Sequence, residues 1–322
     1  MHVKGLNIRR CLGIAAVALL TACGGDSEDA AGGADTGGQT VALSVQNEPT
    51  LSATAVQEFV SAQGIASRGV GTSPGQISIA SRSVQRAMAS LRQPGRVTAQ
   101  AEPPFDDACS GGGSVTLEFA DDLLSFNATF NACVEDGETI NGSISLSLVS
   151  ISDDSLLQTF DVKVTGLSAT QDNVTVKLTG DLSMALDART TGQTTATFTS
   201  TTQSFEQSVN GQVKISSTLR NFQLAHVVAD SGQLTDTFSF NSDGTVAALG
   251  TVAYKAETPT ALTTLAGATD PSSGQIKVTV NGKGIILLTV EATRVHVQAD
   301  LEGDGTFEVD RFDTWSKLSG GL

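Results

Sequence analysis

The sequence predicts a mainly β protein: one large antiparallel sheet, as a sandwich or an open half-barrel, with one or two short N-terminal helices. Three observations predict it. The composition is rich in Thr, Ser, Val and Gly, which suits extended structure. From Cys109 onward, apolar and polar residues alternate with a period of two. Short turn signals separate the alternating runs.

The alternating runs lie within the range 102–322, which is the predicted antiparallel β domain. Early examples are Val115, Leu117 and Phe119, and then Ile144, Leu146 and Leu148. The turn signals include Asn141-Gly142, Asn210-Gly211 and Asn281-Gly282. Because such turns join strands that are neighbours in the chain, we expect a meander of adjacent strands.

Two segments before this domain have helical spacing. They are Ser52–Ser61, with Val56 and Phe59 on one face, and Ala80–Arg92, with Val84 and Met88 on one face. Both lie in the range 51–101. This range is predicted to be a basic helical segment because no Asp or Glu occurs between Phe59 and Ala101, whereas five arginines do: Arg68, Arg82, Arg86, Arg92 and Arg96.

The first residues have the order of parts of a signal peptide. Basic residues precede an apolar stretch from Leu12 to Leu20, which is shorter than the roughly 20 residues that a spanning helix needs. Leu20-Thr21-Ala22-Cys23 follows and resembles the lipobox of bacterial lipoproteins. The resemblance implies cleavage before Cys23, a diacylglycerol on its sulfur and acylation of its new amino group.

The lipobox resemblance also carries expectations about location. Residues 1–22 are then the signal peptide, and 23–50 are a lipidated, flexible tether that is rich in Gly, Ala, Asp, Ser and Thr. An Asp after the lipidated cysteine favours inner-membrane retention in the Gram-negative family. Here that position is Gly24, so the expected location is the outer membrane. The sequence does not distinguish the periplasmic face from the cell surface.

The charge balance limits the classes of partner. The formal net charge is −15, and removing the signal peptide leaves 16 basic against 34 acidic residues, a net charge of −18. Such a body is expected to repel nucleic acid. The favoured interpretation is that the basic segment lies against the acidic β domain or presents a solvated face. The alternative is that it binds an anionic lipid or an envelope protein through Arg82, Arg86 and Arg92.

Two cysteines remain once Cys11 is removed with the signal peptide and Cys23 is lipidated. In an oxidising compartment, Cys109 and Cys133 are expected to form a disulfide that closes a loop of about 25 residues. A metal or redox role is the alternative. It is disfavoured because no histidine lies nearby and the spacing is not Cys-x-x-Cys.

An acidic stretch near the C-terminus is a weak calcium candidate. Asp300, Glu302 and Asp304 alternate, with glycine at the sixth position of the stretch 300–305. The twelfth position, where a calcium loop has a bidentate Glu, is Arg311. Alternation also continues through the stretch, so an acidic hairpin turn is the favoured interpretation and no cofactor is expected.

No catalytic motif emerges from the sequence. His226 and His296 are the only histidines after the signal peptide, and neither lies near a recognisable nucleophile motif. The leading hypothesis is a non-enzymatic envelope lipoprotein that acts as a binding or scaffolding module. The alternatives are a carrier of lipid or other apolar cargo in a curved-sheet cavity, and a calcium-dependent adhesive module that uses the acidic stretch.

Overall fold

The computed structural model describes residues 40–70, 105–120, 124–135, 137–152 and 156–320. These residues form a helix, fourteen strands and a short C-terminal helix, so the mainly β class is confirmed. The strands form one open sheet in sequence order, in which every neighbouring pair is antiparallel. The predicted meander is therefore confirmed, and the described strands form one sheet instead of the two sheets of a sandwich.

The helices are α1 (Glu48–Val70) and α2 (Trp315–Ser319). The strands are β1 (Phe105–Ala108), β2 (Ser114–Phe119), β3 (Ser125–Glu135), β4 (Glu138–Ile151), β5 (Leu157–Gln171), β6 (Val174–Asp187), β7 (Gln193–Val209), β8 (Gln212–Ala229), β9 (Leu234–Val246), β10 (Gly250–Thr264), β11 (Ser273–Val280), β12 (Gly284–Glu291), β13 (Arg294–Asp300) and β14 (Val309–Asp313).

One face of the sheet carries the core. In β12, for example, Ile286, Leu288 and Val290 are buried, and they alternate with half-buried residues. The buried side chains of the strands form one cluster with those of α1. We call this the inner face and its opposite the outer face. No helix among the described residues combines the length and the apolar character needed to cross a bilayer.

Helix α1 is buried on all sides along part of its length. The nine consecutive residues from Leu51 to Phe59 are all buried, and consecutive helical residues point about 100° apart. Phe59 stacks on Phe238 of β9 with ring centroids 4.0 Å apart. The helix predicted over Ser52–Ser61 is therefore present and longer, but over residues 51–59 it lacks the exposed polar face of an amphipathic surface helix.

The folded body begins before the predicted end of the tether at residue 50. The Val41 N–H donates to the Thr251 carbonyl at 2.9 Å, and the Asn281 side chain donates to the Val41 carbonyl at 2.8 Å. Leu43 packs over Gly284, where a Cβ atom would lie 2.8 Å from that of Leu43. The prediction for 41–50 was wrong because a glycine on the sheet accepts an apolar side chain from this polar segment.

Bulges bend the sheet in the middle of its longest strands. The pairing register shifts between Val164 and Leu167 of β5, and between Gly180 and Ser183 of β6. It shifts again across Asn221 of β8, whose φ is 51°. Because each bulge bends its strand and increases its twist, a line of them across neighbouring strands curves the sheet locally.

Candidate functional site

The outer face of β4–β8 has an open cleft where the bulges lie. Its volume is about 710 Å³. One row of its lining residues follows cross-strand pairing through β4–β8: Ser147, Asp161, Ser183, Thr199 and Gln223. The second row continues with Ser145, Lys163 and Asp181, and then with Thr201 and Asn221 at the bulges.

The polar groups of the cleft are held in place by few internal contacts. Lys163 and Asp181 lie directly opposite each other, and no ion pair joins them in the described structure. The Ser183 hydroxyl donates to Asp161 at 3.3 Å. The Ser200 hydroxyl donates to the Asp181 carbonyl at 2.6 Å, which ties the β7 bulge to β6. The cleft therefore presents a carboxylate and an ammonium group that remain available to a ligand.

A buried carboxyl group joins α1 to three strands. The Oε1 atom of Glu58 accepts hydrogen bonds from Ser217 of β8 at 2.5 Å and Ser242 of β9 at 3.0 Å. Its Oε2 atom accepts one from the Tyr254 hydroxyl of β10 at 2.5 Å. Burial raises the pKa of Glu58 to about 7, against the lowering effect of the three hydroxyl donors.

The pKa of Tyr254 is also raised well above its ordinary value. Burial is the main cause, and the neighbouring Glu58 carboxylate is the second. A carboxyl group with a pKa near 7 suits acid–base chemistry when a substrate reaches it. Glu58 is wholly buried, however. Its role in the described structure is to hold α1 against the inner face.

A second ionic cluster holds the N-terminal end of α1. Glu48 is fully buried and accepts hydrogen bonds from Arg311 of β14, from Nε and Nη2, both at 3.1 Å. Arg311 also pairs with Asp313, and Lys317 of α2 pairs with Asp313 at 2.8 Å. Burial raises the pKa of Asp313, but the bonds from Lys317 and Arg311 outweigh it and lower that pKa below its ordinary value.

The two histidines occupy different environments. His226 is 1% exposed, and its Nδ1 atom lies 2.6 Å from Asp236 on β9, which Gln63 of α1 also contacts at 2.7 Å. The sequence had suggested no partner for His226. Cross-strand pairing supplies Asp236, which lies directly opposite it.

His296 lies on the outer face, between the buried residues Val295 and Val297 of β13. Its Nε2 atom lies 2.8 Å from Asp310, and its ring stacks on that of Phe312 with centroids 4.7 Å apart.

The acidic stretch is a turn that Asp300 organises. Its carboxylate accepts bonds from the backbone N–H groups of Gly303, Asp304 and Gly305. Burial raises the pKa of Asp300, but these donors outweigh it, so that pKa lies below its ordinary value. These backbone donors therefore explain the position of the Asp300 carboxylate without a bound cation.

The three predicted calcium ligands do not all come together. Asp300 and Asp304 lie within 4.8 Å of each other and of Glu308. Glu302 instead pairs with Lys283 at 2.5 Å. Glu308, which also accepts a bond from the Leu301 N–H at 2.8 Å, takes the third place in the group.

The predicted disulfide is confirmed. Cys109 and Cys133 are joined, with Cα atoms 5.4 Å apart. Gly113 allows the close approach of the two chain segments, because a Cβ atom there would lie 2.0 Å from the Ala132 carbonyl oxygen. The bond fixes the entry to β2 against β3.

Several sequence predictions fall outside the described residues. These are the signal peptide, Cys23, the second helix over Ala80–Arg92, and the side chains of all five arginines of the basic segment, including Arg82 and Arg86. No protein-family model, curated protein or solved structure matches this chain.

Proposed function

We propose that this chain is an outer-membrane lipoprotein, anchored through Cys23, that acts as a non-enzymatic binding module and holds its ligand in the outer-face cleft of β4–β8. The cleft carries the proposal. It has the size of a small-ligand site, is open to solvent, and presents Lys163 and Asp181 without an ion pair between them.

The contacts of Glu58, His226 and His296 favour a structural role over a catalytic role for these three side chains. Glu58 is enclosed between α1 and three strands, where no substrate has access. His226 is buried against Asp236, and His296 is held by Asp310 and Phe312. Each of these side chains has a structural contact that accounts for it.

The position of α1 favours a cleft-binding module over a carrier of apolar cargo. A carrier needs empty apolar space under its sheet. Here Leu51, Val56 and Phe59 fill the space beside the inner face and are at most 2% exposed. Cargo would have to displace a helix that Glu48 binds to the sheet through Arg311 and that Glu58 binds to it through Tyr254.

The proposed membrane location rests on the lipobox resemblance and is consistent with the disulfide. The Cys109–Cys133 bond suits an oxidising compartment outside the cytoplasm. Acyl chains on Cys23 would give stable membrane attachment, because several chains together bind far more strongly than one.

Photo-crosslinking in living cells tests the cleft as the binding site. Thr199 is replaced by p-benzoylphenylalanine in the full-length lipoprotein, and Ser204 is the matched control. Both are exposed residues of β7, and they lie roughly 17 Å apart along the strand. Only Thr199 lines the cleft.

We expect irradiation to give an adduct of higher mass from the Thr199 position and none from the Ser204 position. Absence of an adduct at Thr199, or equal adducts at both positions, would contradict the proposal.

A further inference from the structure

We infer that the cleft binds a linear, uncharged carbohydrate chain that lies across the strands of β4–β8. The inference rests on the proposed binding function and names its ligand class. It depends on the arrangement of polar groups in the cleft, on the balance of their charges and on the burial of its apolar residues.

The polar side chains of the cleft form rows perpendicular to the strands. In the first row, Ser147, Asp161, Ser183, Thr199 and Gln223 come from five successive strands. Neighbouring strands lie about 4.8 Å apart, a spacing comparable to the length of one pyranose unit. A linear oligosaccharide laid along the row would therefore meet one hydrogen-bonding side chain for each sugar unit.

The row offers donors and acceptors in mixed order. Asp161 only accepts when ionised, whereas the hydroxyl of Thr199 and the amide of Gln223 both donate and accept. Sugar hydroxyls also do both, so they match such a lining along its whole length. In the second row, Lys163 adds donors and Asp181 adds acceptors beside the same path.

The charges and the apolar residues of the cleft disfavour other ligand classes. A polyanion would meet the carboxylates of Asp161 and Asp181, and a polycation would meet Lys163 between them. Three apolar residues belong to the lining, of which Val162 is half-buried, whereas Leu182 and Phe222 are 7% and 1% exposed, so an apolar ligand finds few exposed apolar side chains here.

Binding here depends on hydrogen bonds and not on ring stacking. Trp315 and Tyr254 belong to the buried core, and Phe222 is covered. Carbohydrate sites without an exposed ring lose the stacking contribution. We therefore expect modest affinity that depends strongly on the two carboxylates, because ionised acceptors make the stronger hydrogen bonds.

Calorimetric titration of the full-length lipoprotein in detergent micelles tests this inference. The probes are cellohexaose, maltohexaose and hexa-N-acetylchitohexaose, with spermine and a heparin fragment as charged comparisons. The test variant is Asp161→Asn with Asp181→Asn. The control is Asp172→Asn, the same change in the β5–β6 turn outside the cleft. Asn suits that site, where φ is 53°.

We expect at least one neutral hexasaccharide to bind, the double variant to weaken its binding at least tenfold, and the control to leave it unchanged. Failure of all three hexasaccharides at millimolar concentration would overturn the inference. Stronger binding of spermine or heparin would do the same, as would equal effects of the double variant and the control.

The outcomes of the two experiments are separable. An adduct at Thr199 without hexasaccharide binding would remove the carbohydrate assignment and keep the binding function. Hexasaccharide binding that the double variant leaves intact would place the sugar outside the cleft, which also overturns the inference.

Discussion

Replacing Glu58 by Gln is expected to change how the stability of the protein depends on pH. Gln keeps the size of the side chain, and its carbonyl oxygen accepts from Ser217 and Ser242 as the Glu58 oxygen does. Its amide group replaces the oxygen that Tyr254 contacts. The substitution therefore removes the titration while leaving most of the packing in place.

The magnitude follows from the pKa shift of Glu58, from 4.5 to about 7. Each pKa unit corresponds to about 1.36 kcal/mol, so ionising the buried carboxyl costs about 3 kcal/mol of folding free energy. Between these two pH values the folded chain binds more protons than the unfolded chain. This contribution to stability is thus fully present below pH 4.5 and is lost as pH rises through about 7.

Urea unfolding of the oxidised wild type and the Glu58→Gln variant at acidic and mildly alkaline pH measures the effect. On going from the acidic to the alkaline condition, the free energy of unfolding of the variant should rise by about 2 to 3 kcal/mol relative to that of wild type. Of the described groups that contact Glu58, only Tyr254 also titrates, and its raised pKa keeps it protonated over this range.

The control is Glu206→Gln, which removes a carboxyl group from an incompletely buried position of β7. It makes the same chemical change away from α1 and shows the effect of the substitution itself. Parallel pH profiles for wild type and Glu58→Gln would contradict the expected change, because they would mean that Glu58 has the same pKa in the folded and unfolded chains.

Three further substitutions test the contacts of α1 and the disulfide by the same unfolding measurement. Arg311→Met should cost about 3 to 5 kcal/mol, since it leaves the buried Glu48 carboxylate uncompensated, and a loss under about 1 kcal/mol would contradict that pairing. Phe59→Ala should cost about 3 to 5 kcal/mol by opening a cavity at the ring stack, and a neutral effect would show that α1 is not packed as described. Replacing Cys109 and Cys133 together by Ser should cost about 3 kcal/mol, with no further loss on adding reductant, whereas wild type should lose that amount on reduction.

The sheet could be predicted from the sequence because its cause is local. A side chain on a strand points to one face or the other with a period of two, and Val115 and Leu117 show this directly. Short turns such as Asn210-Gly211 then require neighbouring strands to pair. The disulfide also followed from the sequence, because Cys109 and Cys133 are the two cysteines that lie outside the predicted signal peptide and lipid anchor.

The environment of α1 could not be predicted because its cause is not local. A Glu at position 58 of a helical pattern ordinarily faces solvent. Its burial depends on Ser217, Ser242 and Tyr254, which lie more than 150 residues away in the chain. The helical spacing of Val56 and Phe59 is equally consistent with a helix that is covered on one side.

The cleft could not be predicted from the sequence for a related reason. Apart from Val162, Leu182 and Phe222, its lining residues are Ser, Thr, Asp, Lys, Asn and Gln, the types expected on any exposed strand face. What distinguishes them is the line of bulges across neighbouring strands, and a bulge such as that at Asn221 depends on the register of its partners. The alternation in one strand does not contain that information.

Mass spectrometry of the protein purified from membranes is the sharpest test of the lipid anchor at Cys23. We expect the mature chain to begin at Cys23 with acyl groups on its sulfur and amino nitrogen, and we expect Cys23→Ser to abolish incorporation of labelled palmitate. A chain that still carries residues 1–22, or a Cys23→Ser protein that is processed normally and stays membrane-bound without label, would contradict it.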